Sequence, residues 1–222
     1  MIKTRHNKTN GISGRNNRTI FVAIVLWMFT LLLAPIEVHA QTSVDNLTDL
    51  LTEISNAPTN GTEKIITLMG EITLPDGTTI LQGASGSNIK ILRGIYSDWY
   101  RLFTVNDGAE LILENITIDG NKDVFPEYYS GSLVCVDGSS KFIMKDGAVL
   151  TNNAAGAVGV YNNSNFTMTG GKINGNTADS GGGVYVDGSS TFTMTGGEIT
   201  DNTNTAEYFG GSVYVDGVFN LG

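Results

Sequence analysis

Aromatic and acidic side chains gather in three short segments that interrupt an otherwise regular sequence. The segments span residues 96–100, 125–129 and 207–209. Aromatic rings stack on the apolar faces of sugar rings, and carboxylates accept hydrogen bonds from sugar hydroxyls. The residues of the first two segments that would carry this chemistry are Trp99, Tyr100, Tyr128, Tyr129, Asp98 and Glu127. They predict a surface for carbohydrate, and the alternative is that the rings pack against the flank of the fold.

Catalytic chemistry would have to use carboxylates, lysines, tyrosines and the two arginines that follow residue 40, Arg93 and Arg101. Both histidines, His6 and His39, lie in an N-terminal segment that we expect to be removed, so no imidazole base or histidine metal ligand is left. The acidic cluster near the arginines comprises Asp98, Asp119, Asp123 and Glu127. Its spacing matches no catalytic motif. We therefore predict no catalytic residues, no cofactor and no metal, with a carbohydrate-active enzyme as the alternative.

Three further residues could bind metal or react. Asp187 and Asp216 precede glycines at equivalent positions of successive repeats, so they would hold calcium together or shape an Asp-Gly turn. We favour the turn, because an Asp side chain that bonds to the corner needs no metal. Cys135 is the single cysteine, which excludes a disulfide within the chain. It lies between two inward valines, so its side chain is expected to face outward.

The first 40 residues have the three-part order of a secretory signal. Five basic residues precede an apolar run from Ile20 to Ala34, and Val38-His39-Ala40 follows as a small-residue site. The apolar run is shorter than the roughly 20 residues of a spanning helix, which favours cleavage over an uncleaved anchor. Removal would leave eight basic and 21 acidic residues, a formal charge of −13. Such an acidic chain lacks the basic surface that nucleic acid requires.

After residue 130 the sequence repeats. Each unit has Val-x-Val, then Phe-x-Met or a close variant, then a glycine corner, an apolar residue and an asparagine. The anchoring aromatics, spaced by 24, 26 and 27 residues, are Phe142, Phe166, Phe192 and Phe219. Alternation with period two predicts strands that bury one face, and a period near 25 residues predicts coils that stack. Asn121, Asn152, Asn176 and Asn202 would form an amide ladder at the third corner, and Val149, Ile173 and Ile199 would be its inward neighbours.

A short amphipathic helix precedes the repeats. Leu47, Leu50, Leu51 and Ile54 have helical spacing between residues 43 and 56, with Ser43 or Asp45 as the cap. The predicted organisation is a signal peptide over 1–40, a capping helix and linker over 41–60, and the repeat domain over 61–222. The last repeat is incomplete at Gly222, so we expect that further repeats or domains follow in a longer protein.

The repeats resemble those of the pectin-lyase-like right-handed parallel β-helices, and above all those of adhesin-like bacterial surface proteins. The resemblance runs from Ile65 to the end and is most specific in residues 111–121, 166–173 and 192–199. It implies an all-β, right-handed, three-sheet parallel β-helix and an extracellular or cell-surface location. It also implies adhesion, with carbohydrate cleavage in the enzymatic branches. Fold alone does not determine which applies.

Three hypotheses therefore remain: a surface segment that binds glycan or a host or matrix surface, a passive stalk, and a carbohydrate-active enzyme. We expect the first, with no nucleic-acid partner and no membrane span in the mature chain. The residues we expect to carry it are the aromatic and acidic ones of segments 96–100 and 125–129.

We predict cleavage between Ala40 and Gln41, because this bond follows the basic, apolar and small-residue order of the N-terminus. N-terminal sequencing of material secreted by a bacterial host should start at Gln41. Secreted protein that still begins with Met1 would contradict the prediction.

Overall fold

The chain forms a three-sheet parallel β-solenoid, which confirms the predicted fold class. A computed structural model describes residues 40–95, 101–126, 131–206 and 210–222. Within these ranges the chain visits the three sheets in turn and completes about six coils. Every strand pairs in parallel with the equivalent strand of the next coil.

The sheets are numbered in the order in which a coil visits them. Sheet 1 contains β1 (Ala40–Val44), β2 (Glu63–Leu68), β5 (Asn88–Arg93), β8 (Thr117–Asp119), β11 (Val149–Thr151), β14 (Lys172–Asn174) and β18 (Glu198–Thr200). Sheet 2 contains β3 (Ile72–Thr73), β6 (Phe103–Val105), β9 (Val134–Val136), β12 (Val158–Val160), β16 (Val184–Val186) and β20 (Val213–Val215). Sheet 3 contains β4 (Thr78–Gln82), β7 (Glu110–Glu114), β10 (Lys141–Met144), β13 (Asn165–Met168), β17 (Thr191–Met194) and β21 (Val218–Leu221). A minor pair, β15 (Thr177–Ala178) and β19 (Thr203–Asn204), lies between sheet 1 and sheet 2. This corner, which follows the asparagine of each repeat, is the third corner of the sequence repeat.

Inward side chains form continuous columns, as the repeat predicts. Phe142, Phe166, Phe192 and Phe219 occupy one register position of sheet 3. Their ring centroids are 5.0, 4.8 and 5.1 Å apart, with interplanar angles of 10°, 5° and 16°. The first three rings are fully buried. Stacked aromatic pairs of this kind add about 0.5–1.5 kcal/mol each beyond the area that they bury.

One strand differs from the predicted register by a single residue. Leu150, and not Val149, pairs with Ile173 and is fully buried. The cause is the corner after β10, where five residues separate Met144 from Leu150, whereas four separate Met168 from Ile173. Because neighbouring residues of a strand face opposite sides, a slip of one residue exchanges the inward and outward positions.

The same slip changes the predicted asparagine ladder. Asn153, rather than Asn152, joins Asn176 and Asn202 inside the third corner, while Asn152 turns outward with a φ of 56°. The Asn176 amide group donates to Leu150 O, Asn174 O and Asn202 Oδ1, and Asn176 Oδ1 accepts from the Asn153 backbone N–H. The ladder therefore satisfies buried backbone groups as well as its own amides.

Asn121 does not join the ladder. Its side chain donates to Arg93 O, and Arg93 itself is 1 % exposed. The Arg93 guanidinium donates from Nη2 to Gly131 O at 3.0 Å and to Asn153 Oδ1 at 3.3 Å. A Cβ atom at Gly120 would lie 2.4 Å from Asn153 Oδ1, so only glycine leaves room for this contact. The polar column thus extends from Asn202 down to Arg93.

The helix, α1, spans Leu47–Ser55 and buries Leu50 and Ile54 in the core at the N-terminal side of the solenoid. Its cap is Asn46, whose Oδ1 accepts from the Asp49 N–H at 2.9 Å. The predicted caps were wrong, because Ser43 belongs to β1 and Asp45 precedes the capping residue. The sequence pattern did not predict β1, whose first residue borders the predicted cleavage site. No helix in the described ranges is long and apolar enough to cross a bilayer.

We expect Asn176→Ala to destabilise the solenoid by about 3 kcal/mol, because it leaves several buried groups of the third corner without partners. Urea unfolding followed by circular dichroism measures the change. Asn174→Ala is the matched control, since Asn174 contributes only a backbone carbonyl to the ladder. Equal urea midpoints for the two variants would contradict this role of the ladder.

Candidate ligand-binding site

The residues that the sequence favours for binding lie outside the described residues. These are Trp99, Tyr100, Tyr128, Tyr129, Asp98 and Glu127. The flanking strands show only where their segments enter: residues 96–100 connect β5 to β6, and 127–130 connect β8 to β9. Residues 207–209 likewise connect β19 to β20. All three segments thus join sheet 1 to sheet 2, and the predicted surface stays a prediction.

A different aromatic array lies on the outer face of sheet 2. Strand register places Cys135, Gly159, Tyr185 and Tyr214 at one outward position, with Thr104 before them. Two residues further along each strand, the same register aligns the next outward position. Its occupants are Asp137, Tyr161, Asp187 and Asp216.

In the coil that contains β12, the first outward position holds Gly159 and the tyrosine, Tyr161, stands at the second. Gly159 has no side chain, and a Cβ atom there would lie 2.7 Å from Tyr161 Cε2 and 2.8 Å from its hydroxyl. The Tyr161 ring therefore fills the space above Gly159 and continues the column of Tyr185. The centroids of Tyr161 and Tyr185 are 5.5 Å apart, and those of Tyr185 and Tyr214 are 5.4 Å apart. We call these three rings the tyrosine ladder.

The ladder lies partly exposed on the outer face of sheet 2. All three residues are half-buried. The Tyr161 and Tyr185 rings are tilted by 33°, and the Tyr185 and Tyr214 rings are stacked with an interplanar angle of 14°. Because the strands below hold the backbone, the rings form a rigid, regularly spaced aromatic surface. Such a surface suits flat ligands with an apolar face and a polar edge.

Cys135 has the predicted outward position in the strand register, and its side chain is fully buried there. The Tyr161 ring in the slot of Gly159 covers the neighbouring outward position. Burial raises the pKa of the Cys135 thiol to about 11, with a smaller opposing effect of Arg101. Burial also raises the pKa of Tyr161 to about 12. Both groups are therefore neutral near pH 7.

The carboxylates beside the ladder have structural partners. Asp187 accepts hydrogen bonds from the Asn162 N–H and from the N–H and hydroxyl of Ser189. Burial acts to raise the pKa of Asp187, but hydrogen bonds from Asn162 and the two serines that follow Asp187 outweigh it, so this pKa lies below its ordinary value. Asp137 Oδ1 accepts from the Gly138 N–H and from Asn162 Nδ2.

These bonds tie the Asp187 carboxylate to its own turn and to the turn of the preceding coil. In the part of the chain that the structure describes, no three His, Cys, Asp or Glu side chains are grouped as metal ligands would be. Asp216 is exposed, and its carboxylate lies above Gly188, where a Cβ atom would be 3.1 Å from Asp216 Oδ2. Asp137, Asp187 and Asp216 thus occupy the same outward position in three coils, with Tyr161 in the coil between Asp137 and Asp187, and we call them the carboxylate column.

The acidic cluster considered for catalysis is only partly described. Asp119 Oδ1 accepts from the Asn121 N–H and from Asn152 Nδ2, which ties it to the third corner. Arg93 is buried in the same corner, and burial lowers its pKa to about 10. Asp123 is exposed beside Lys122, and Asp98 and Glu127 lie outside the described residues. Asp119 and Arg93 therefore both bond within the third corner.

The fold and this outer face define a parallel β-solenoid with a rigid, regularly spaced external surface. The sequence profile of the family described as right-handed β-helix region matches residues 101–217, just over half of the chain. The chain therefore belongs to the right-handed β-helix family, as the repeats indicated. Comparison with curated proteins and with solved structures gave no significant match.

We expect Tyr161→Ala to expose Cys135, because the Tyr161 ring lies over Gly159, the residue that pairs with Cys135 in the neighbouring strand. Labelling of the folded protein by a thiol-reactive dye at pH 8 should be on the order of tenfold faster than in the wild type. Tyr185→Ala is the control and should leave the labelling rate unchanged. Equal rates for the wild type and Tyr161→Ala would show that another group protects the thiol.

Proposed function

We propose that this β-helix is an exported surface scaffold that binds glycan along the tyrosine ladder. The observation that carries the proposal is the row of Tyr161, Tyr185 and Tyr214 on the outer face of sheet 2. Large aromatic rings are rarely left on a surface in regular order without a partner to cover them. Their phenol hydroxyls and the adjacent carboxylates supply polar contacts around an apolar surface.

Glycan suits this surface better than the other ligand classes. Sugar rings present an apolar face to aromatic rings and hydroxyls to polar neighbours, which matches the alternation of ladder and carboxylate column. The ladder is fixed by strand pairing, so little side-chain entropy is lost when a ligand binds. The acidic composition disfavours nucleic acid and other polyanions.

Export and adhesion complete the proposal. The order of basic, apolar and small residues before Gln41 supports secretion, and the resemblance to adhesin-like repeats supports a role at the cell surface. The loop residues from Asp98 to Tyr100 and from Glu127 to Tyr129 are proposed as a second contact surface. They enter at the corner that leads into sheet 2, the sheet that carries the ladder.

A glycan array probed with the purified mature protein tests the function. We expect binding to a defined subset of glycans and a loss on the order of tenfold or more in Tyr185→Ala, Tyr214→Ala, because two stacking surfaces are removed. Thr167→Ala, Thr193→Ala is the matched control on the outer face of sheet 3. Circular dichroism melting establishes that both variants are folded.

Each contrary result has a definite meaning. If the folded wild-type protein bound no glycan, the passive stalk would replace the proposal. If the tyrosine variant bound as well as the wild type while a Trp99→Ala, Tyr128→Ala variant did not, the loops would be the binding surface. Shortening of a bound oligosaccharide during incubation would instead support the enzymatic alternative.

A further inference from the structure

We infer that the outer face of sheet 3 binds a second copy of this chain, with the two solenoid axes antiparallel. The strands that make the contact are β4, β7, β10 and β13, which lie next to one another in sheet 3. The inference goes beyond the proposed glycan binding and does not depend on it, because the tyrosine ladder lies on a different sheet.

Isoleucines form an apolar column in the middle of this face. Strand register aligns Ile80, Ile112 and Ile143 at one outward position of β4, β7 and β10. Ile80 is 50 % exposed, and the other two are half-buried. In the next two coils the same position holds Thr167 and Thr193, so the fold itself does not require isoleucine there. Adjacent exposed apolar side chains are typical of a surface that a partner covers.

Charged residues flank the isoleucine column on both sides. Two residues before the isoleucines, register pairs Glu110 with Lys141. Two residues after them, Glu114 stands beside Lys145, and Lys145 Nζ lies 3.6 Å from Glu114 Oε2. Strand β7 thus presents a negative charge on each side of its isoleucine, and β10 presents a positive charge on each side. All four charged side chains remain at least partly exposed.

This pattern is complementary to itself in one arrangement. A twofold axis parallel to the strands, midway between β7 and β10, places β7 of each copy over β10 of the other. Glu110 then faces Lys141 of the second copy. Likewise, Glu114 faces Lys145 of the second copy, and both contacts occur twice. The isoleucines of β7 and β10 meet at the centre, so apolar groups face apolar groups and every charge faces an opposite charge.

Other symmetric arrangements of the same face bring like charges together. With the twofold axis along the isoleucine column, Glu110 would face Glu114 of the second copy, and Lys141 would face Lys145. With the axis on β7 itself, each glutamate would face its own equivalent. Like charges across an interface oppose binding. The face carries both signs in equal number, so it offers no net attraction to a polyanion or an anionic membrane, and a second copy is the occupant that it fits.

The size of the face implies weak, reversible association. Four strands spaced by about 4.8 Å, and roughly 22 Å wide with their corners, cover about 400 Å² per copy, or about half the area per partner of a stable complex. The exposed ion pairs add up to a few-fold each to the affinity. Weak contacts reinforce one another where many copies are held together. Antiparallel axes are the geometry of scaffolds attached by the same end to two opposing surfaces.

Sedimentation equilibrium of the purified exported protein, at concentrations up to about 1 mM, tests the inference by charge exchange. We expect the wild type to show a monomer–dimer equilibrium. One variant carries Glu110→Lys, Glu114→Lys, and the other carries Lys141→Glu, Lys145→Glu. Each variant alone should be monomeric, because its copies meet with like charges. An equimolar mixture of the two should form a dimer at least as tight as that of the wild type, because all facing charges are then opposite.

Two further variants separate the contact from general effects of charge. Lys90→Glu, Lys172→Glu is the matched control, because it changes the net charge equally on the outer face of sheet 1 and should dimerise like the wild type. Ile112→Thr, Ile143→Thr should weaken the wild-type dimer on the order of tenfold or more by removing apolar area. This variant should keep its fold, since later coils carry threonine at the same position. Circular dichroism melting establishes that each variant is folded.

The contrary results are definite. A wild type that stays monomeric over the whole concentration series would overturn the inference, and so would folded charge variants that remain monomeric when mixed. Dimerisation that is unchanged in the isoleucine variant would place the contact elsewhere and would overturn it as well. None of these results bears on the glycan array, so the two proposals can fail separately.

Discussion

Parallel, in-register hydrogen bonding between successive coils is the constraint on which every other feature of this protein depends. Each strand pairs with the equivalent strand of the next coil, so residues at equivalent positions lie directly above one another. A residue type that recurs in the repeat becomes a column, inside or outside. The phenylalanine stack, the asparagine ladder, the tyrosine ladder and the carboxylate column all arise in this way. Neither the core nor the outer surface could be regular without that register.

The interior columns differ in what they demand of the sequence. A Phe, Leu or Met is acceptable at an inward position of sheet 3, because any apolar side chain of suitable size fills the space. The third corner is less tolerant, since backbone carbonyls such as Leu150 O and Ile173 O need the amide of a particular asparagine. An unsatisfied buried carbonyl costs about 1–3 kcal/mol. The polar column therefore specifies the register more strictly than the aromatic stack does.

The repeat allowed the fold class, the three sheets and the phenylalanine column to be predicted, because a period of about 25 residues is visible in the sequence alone. The prediction failed where the period was broken. The extra residue before Leu150 shifts the register by one, so the repeat pattern pointed to Asn152 where the structure has Asn153. The strand over Ala40–Val44 has no counterpart in the repeat. The candidate site was missed for a related reason. Tyr185 and Tyr214 stand at equivalent positions, but Tyr161 lies two residues further along, so no alignment by spacing joins the three.

Gly159 and Tyr161 show how a column of side chains can continue through a coil that lacks a side chain at the equivalent position. The ring of Tyr161, two residues further along the chain, fills the place above Gly159. A tyrosine at position 159 would duplicate the ladder directly, whereas glycine there leaves room for the Tyr161 ring from the neighbouring outward position, next to the buried Cys135. The ladder thus begins at Tyr161 and continues through Tyr185 and Tyr214. For a polymeric ligand, each additional rung acts at the high effective concentration set by the rung before it. Because rung spacing is fixed by strand pairing, the proposed binding of a glycan polymer would strengthen with the number of coils that carry a ring, without any new type of contact.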